Sequence, residues 1–219
     1  MDLFLVYGGT FDPVHCGHLS IAIAARDALQ CTVRLMPAGD PPHRAAPGAD
    51  AADRAAMVAL AIADAPGLVL DRRELERHGR SYTVDTLEAL RAELGPAQPL
   101  AWLVGADSLL GLTSWHRWEA LFDLAHLVVA DRPGSALDAP LSPALSEVLR
   151  ARWTDAPAAL AGTPAGRVLR LGQPLHPVAA TEVRARVAQG QSLQGWVPDP
   201  VAAFIDEKGL YRSGPGASL

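Results

Sequence analysis

His15 and His18 stand three residues apart behind a glycine pair, in Gly8-Gly9-Thr10-Phe11-Asp12-Pro13-Val14-His15-Cys16-Gly17-His18. The apolar run before this stretch, Leu3-Phe4-Leu5-Val6-Tyr7, reads as a buried strand, and residues 19–25 after it read as a helix. A glycine pair at a strand end lets the backbone come close to a ligand, because no Cβ blocks the approach. Two imidazoles at a helix entrance sit where free amides and the helix dipole favour an anion. Three readings compete for the pair: one capping and one packed histidine, a metal pair, or a phosphate site. A metal pair needs a third and fourth ligand, and Cys16 points elsewhere on a helix. The glycines and the helix start favour phosphate.

Other residues carry the same kind of chemistry. Thr181 and Arg184, three apart at an expected helix start, face one point, as a phosphate clamp or as a cap beside a solvated arginine. Asp107 follows a glycine at a strand end, where it suits ribose hydroxyls or a helix cap equally. Arg44 in Pro41-Pro42-His43-Arg44 is a loop cation open to phosphate or to solvent, and His43 is a weaker candidate. Trp115 and Trp118 have the three-residue spacing of core packing, which suits Trp118.

The elements that must position these groups follow from hydropathy. Strands are expected at 3–7, 32–36, 68–70, 101–104, 127–130 and 168–171, with helices between them. Asp50 caps a helix over 50–64, and Thr83 caps one over 84–94 with Val84, Leu87, Leu90 and Leu94 on one face. Asp199 caps a last helix with Pro200 at its first position, and Gly209 stops it. Such alternation implies an α/β fold: a doubly wound, mainly parallel sheet with helices on both faces. Ligands then bind beyond the carboxyl ends of the strands, where the winding reverses. Residues 1–219 read as a single domain. Residues 135–166, richer in Pro, Ala and Gly and with a helix near 142–153, read as a variable surface insertion.

Composition removes several classes. A hydrophobic share of 49% with 20% charged residues fits a soluble globular chain. A formal net charge of -5 argues against a nucleic-acid partner. Cys16 and Cys31 form no metal or redox spacing, and no apolar run reaches bilayer length. A cytoplasmic protein with no membrane partner is expected, and the oligomeric state is not legible.

The segment from Gly8 to Leu19 resembles the signature of the nucleotidylyltransferase superfamily, with its histidine-x-glycine-histidine element. Its Gly-Gly-Thr-Phe-Asp-Pro lead resembles the bacterial nicotinate mononucleotide adenylyltransferases. Further segments agree in order: Pro41-Pro42-His43-Arg44, Ser81-Tyr82-Thr83, Gly105-Ala106-Asp107-Ser108, Arg132-Pro133-Gly134, Thr181-Glu182-Val183-Arg184 and Gly209-Leu210-Tyr211-Arg212. The resemblance covers nearly the whole chain and is weakest over 135–166. It implies a Rossmann-like fold and transfer of the ATP adenylyl group to the 5′-phosphate of nicotinate mononucleotide, releasing pyrophosphate, in NAD biosynthesis. A nucleotide phosphate is already an anionic nucleophile, so no general base is needed and no covalent enzyme intermediate forms.

By that resemblance His18, His15 and Arg184 are the catalytic groups, with His18 favoured for stabilising the transition state. Gly8, Gly9, Thr10, Phe11, His15, His18, Asp107, Arg132, Thr181 and Arg184 would hold ATP. Thr10, Arg44, Tyr82, Thr83 and Trp115 would hold nicotinate mononucleotide, Trp115 by stacking on the pyridine and the amides around Tyr82-Thr83 by reading its carboxylate. Mg²⁺ is expected to arrive with ATP, with no metal site of the protein's own. Two departures stand out. Val178-Ala179-Ala180-Thr181 lacks the family's serine at Ala179, and Asp131 replaces a residue that is basic or neutral in relatives. Competing readings are a nucleotidylyltransferase for another acceptor and a silent nucleotide-binding module.

Overall fold

A computed structural model describes residues 2–39, 48–77, 79–131 and 141–212. In chain order its main elements are β1 (Phe4–Gly9), α1 (Cys16–Leu29), β2 (Val33–Pro37), α2 (Ala51–Ile62), β3 (Leu68–Leu70), α3 (Arg73–Glu76), α4 (Thr83–Leu94), β4 (Leu100–Gly105) and α5 (Ala106–Leu110). There follow α6 (Leu121–Leu124), β5 (His126–Ala130), α7 (Pro143–Leu149), β6 (Trp153–Thr154), β7 (Val168–Leu171), α8 (Ala180–Ala188) and α9 (Asp199–Lys208). The strands form one seven-stranded sheet in the order β3-β2-β1-β4-β5-β7-β6, and every pair in it is parallel. The fold is therefore Rossmann-like, as expected.

Alternation along β1 explains the two layers, since successive side chains of a strand point to opposite faces. Leu5 and Tyr7 enter one core with Ile21 and Ala25 of α1, Met57 and Val58 of α2, and Val201 and Ile205 of α9. Val6 enters the other with Leu87 and Leu90 of α4, Leu109 of α5 and Phe122 of α6. Helices thus cover both faces. The winding reverses between β1 and β4, so their carboxyl ends open a crevice, the standard ligand position for an open α/β sheet.

Several boundaries differ from expectation. β1 runs on through Gly8 and Gly9, because the ladder to β2 continues as Gly8↔Met36 and Gly9↔Pro37. Thr83 is the first residue of α4 rather than its cap; Tyr82 occupies that position in extended backbone with no side-chain capping bond. Pro198 precedes α9, so Asp199 and Pro200 both lie in its first turn, where a missing N–H leaves no bond unmade. Asp50 and Gly209 cap as expected: Asp50 accepts from the Asp53 amide at 2.7 Å, and Gly209 takes the left-handed conformation. The described part of the expected insertion, 141–166, buries Leu145, Leu149 and Leu160 and supplies the edge strand β6. No described helix is long and apolar enough to cross a membrane.

The far end of the sheet is held by His126, fully buried at the start of β5. Its Nδ1 accepts from the Arg167 amide at 3.0 Å, which places the proton on Nε2, 2.8 Å from the Thr163 carbonyl. Burial pushes its pKa below the ordinary histidine value, with Arg91 and Arg167 nearby adding to the effect. The unfolded chain therefore binds more protons than the folded one as the medium turns acid. Stability from this residue is complete above about pH 6.5 and falls as the pH drops toward the folded pKa. Thermal unfolding followed from pH 7 to pH 5 should show Tm falling, with a shallower slope in His126→Gln; identical slopes would contradict this.

Candidate active site

The first helix entrance is built by a reciprocal cap. His15 Nδ1 accepts from the His18 amide, and His18 Nδ1 accepts from the His15 amide, each at 3.3 Å. The rings stack with centroids 3.7 Å apart. With both Nδ1 atoms acting as acceptors, each neutral ring carries its proton on Nε2, so Nε2–H is the donor edge of both. The reading of one capping and one packed histidine is therefore true in part: both histidines cap, and they still line a cavity. Phe11, left-handed at φ 50°, packs its buried ring edge-on against Tyr7 and His18 at 5.5 and 5.0 Å.

The glycine pair answers a packing demand as well as ligand approach. A Cβ on Gly8 would lie 2.2 Å from the Trp102 ring of β4, and one on Gly9 would lie 3.0 Å from the Phe11 ring. Any side chain at Gly8 would force either the Trp102 ring or β1 itself to shift.

Two cavities open beyond the strands. One, about 470 Å³, is lined by Gly8, Gly9, Thr10, Phe11, His15 and His18 from the first turn, Asp107 from α5, and Thr181 and Arg184 from α8. These are all the residues expected at ATP except Arg132, which lies outside the described residues. The other, about 310 Å³, is lined by Thr10, Tyr82, Thr83 and Trp115. Those are the residues expected at the mononucleotide except Arg44, which also lies outside the described residues together with His43. The cavities share a wall made of Gly8, Gly9, Thr10, Gly105, Asp107 and Ser108. Asp107 does not cap α5, whose N-cap is Gly105, and it faces both cavities instead. Trp115 and Trp118 are both half-buried against the same core; Trp118 meets Phe122 edge-on at 6.4 Å, so it sits at the margin of the core rather than inside it as expected.

Residues that sequence reasoning passed over hold this arrangement. The Asp12 carboxylate, 7% exposed, accepts from the amides of Gly48 at 2.8 Å and Ala49 at 3.1 Å and from the Tyr211 hydroxyl at 2.7 Å. Arg184 Nη1 donates to the Asp12 carbonyl at 2.6 Å and lies 3.7 Å from its carboxylate. Arg54 of α2, 1% exposed, donates to the carbonyls of Thr10, Ala38 and Gly39 at 2.8, 2.7 and 3.2 Å. Burial pushes this guanidinium down from the usual arginine range, and the charge of Asp12 opposes the shift. At the missing serine, Ala179 is the N-cap of α8 with no side-chain bond; Glu182 instead accepts from its amide at 3.2 Å. His116 was also unforeseen: its ring meets Tyr82 at 4.6 Å on the second cavity. Among the described residues, no three His, Cys, Asp or Glu side chains are grouped to hold a metal ion.

A parallel sheet with paired cavities at its switch point, one rich in anion donors and one bearing an aromatic platform, defines a nucleotidylyltransferase-type α/β protein. Residues 6–186 match the cytidylyltransferase-like family. The chain is 59% identical over 218 residues to the "probable nicotinate-nucleotide adenylyltransferase" of Stenotrophomonas maltophilia, covering 97% of this chain and 98% of that one. It is 47% identical over 206 residues to the protein of that name from Chromohalobacter salexigens, covering 93% of each. In fold it is similar to the Plasmodium falciparum nicotinic acid mononucleotide adenylyltransferase complexed with NaAD, at TM-score 0.74 and 15% identity, covering 96% of this chain and 98% of that one. The chain belongs to the nicotinate-nucleotide adenylyltransferase family.

Burial and the Asp12 carboxylate push the Tyr211 hydroxyl far above an ordinary phenol, so it remains a donor throughout the working pH range. Tyr211→Phe removes one hydrogen bond to a charged acceptor and should lower unfolding stability by about 1–3 kcal/mol in denaturant titration. An unchanged midpoint would show that the C-terminal segment does not hold the turn.

Proposed function

We propose that this protein transfers the adenylyl group of ATP to the 5′-phosphate of nicotinate mononucleotide, giving nicotinate adenine dinucleotide and pyrophosphate in the cytoplasmic synthesis of NAD. The observation that carries the reading is the shared wall: two cavities that meet along Gly8–Thr10 and Gly105–Ser108 offer adjoining room for two nucleotides end to end. The names of relatives identical at 59% and 47% over almost the whole chain support the same substrates.

An oxygen of the mononucleotide phosphate attacks the α-phosphorus of ATP and forms a P–O–P linkage. The bond from that phosphorus to the oxygen bridging to the β-phosphate breaks, and pyrophosphate leaves with the electron pair. The attacking oxygen is already anionic, so this chain's task is alignment and neutralisation of charge. The Nε2–H edges of His15 and His18 and the guanidinium of Arg184 meet the ATP phosphates, with His18 on the transition-state charge. Amides at Gly9, Thr10 and Phe11 line the junction, and Asp107 accepts from ribose hydroxyls. Trp115 stacks on the pyridine, and the amides of the α4 first turn, which no side chain caps, receive its carboxylate. Mg²⁺ enters with ATP as part of the substrate, held by the phosphates, and neutralises them there.

Purified protein given ATP and nicotinate mononucleotide should release pyrophosphate, and nicotinamide mononucleotide should be a much poorer acceptor, because amide donors match an anionic carboxylate and not an NH₂ group. His18→Ala should lower kcat about a hundredfold or more with ATP still bound. No release by the intact chain, or full activity in His18→Ala, would overturn the assignment.

A further inference from the structure

Glu74 of α3 is a buried carboxyl, 5% exposed, that adenylyl transfer does not use, yet it lines the second cavity. The Thr86 hydroxyl donates to Glu74 Oε1 at 2.6 Å, and the Ser81 side chain makes a second hydrogen bond to the same carboxyl. Ser81 Oγ in turn accepts from the Gly39 amide at 3.1 Å, beyond the end of β2. A Cβ on Gly39 would lie 2.5 Å from the Glu74 carbonyl oxygen, so this close approach requires glycine there. Arg77 completes the cluster by donating to Thr86 Oγ1 at 3.1 Å.

The spacing gives the cluster its meaning. Ser81 precedes Tyr82-Thr83 and Thr86 follows them one turn into α4, so one carboxyl grips both ends of the segment between. No side chain caps α4 from within, and Glu74 therefore supplies the lateral hold on its first turn. Burial raises the pKa of Glu74, and the two hydroxyls and Arg77 work against that shift.

We propose that Glu74 is the positioning residue that sets acceptor specificity, by fixing the Tyr82-Thr83 amides at the distance and angle that a pyridine carboxylate requires. The proposal rests on the second cavity being the nicotinate mononucleotide site. Glu74 itself does not touch the ring; it acts through Ser81 and Thr86. A carboxylate facing that cavity would repel an anionic substrate if it were there only to bind it, which is a reason to assign it a supporting part.

Glu74→Leu keeps a similar volume but removes both acceptor oxygens, so both hydroxyl links are lost. Thr86→Val removes one link from the other side and serves as the second variant if the first does not fold. For each, KM for nicotinate mononucleotide should rise about tenfold, with KM for ATP and kcat within about twofold, and the preference over nicotinamide mononucleotide should fall. Unchanged KM for nicotinate mononucleotide in a folded variant would overturn the proposal, as would an equal rise for both substrates, which a general loosening produces. Wild-type turnover of nicotinate mononucleotide is the control. Its absence overturns the substrate reading and this proposal together, whereas its presence beside unaffected variants overturns the role of Glu74 alone.

Discussion

The buried carboxylate of Asp12 is the interaction on which the rest of the site depends. A carboxylate taken out of water must be met by donors, or the fold pays heavily in lost hydration. Here the donors come from far along the chain: Gly48 and Ala49 ahead of α2, and Tyr211 beyond α9. Arg184 of α8 joins them through the Asp12 carbonyl. The carboxylate therefore draws two remote segments onto the turn after β1, and the carbonyl of the same residue draws a third. The turn that bears the histidines is thereby tied to α8 and to the segment beyond α9.

Arg54 meets the same turn from the other direction, with three carbonyls as acceptors and, among the described residues, no carboxylate in hydrogen-bond contact. Asp12 and Arg54 together hold the backbone from Thr10 to Asp12 from both sides. Such bracing suits the proposed reaction, whose nucleophile needs no activation. The gain available to such an enzyme lies in holding two anions in line and offering fixed donors to the charge that develops between them. The two cavities divide the labour: imidazoles and guanidinium in one, aromatic surface and helix amides in the other.

The sequence made the polar residues of the first cavity legible because phosphate chemistry demands particular types at particular spacings. His15, His18, Thr181 and Arg184 could be read directly, and they do line one cavity. The five longer strands with β3 were legible from apolar runs, whereas β6, two residues long, carries no period to read. Partners of a buried charge are invisible to local reading. Asp12 was seen within the motif, but its contact with Tyr211 spans 199 residues. Arg54 sits in an alanine-rich helix where an arginine looks like a solvated face, and only the fold reveals it as 1% exposed. Gly8 was read for ligand clearance alone, since nothing in a single chain foretells that Trp102 fills the space above it.

The most direct test of this account is a double-mutant cycle between Asp12→Asn and Arg184→Lys, read as kcat/KM for ATP in pyrophosphate release. If the Asp12 carboxylate fixes the turn whose carbonyl seats Arg184, the two losses overlap, and the double variant is little worse than Arg184→Lys alone, with a coupling of about 1 kcal/mol or more. Losses that simply add would mean that the carboxylate and the arginine act independently, and would contradict the account.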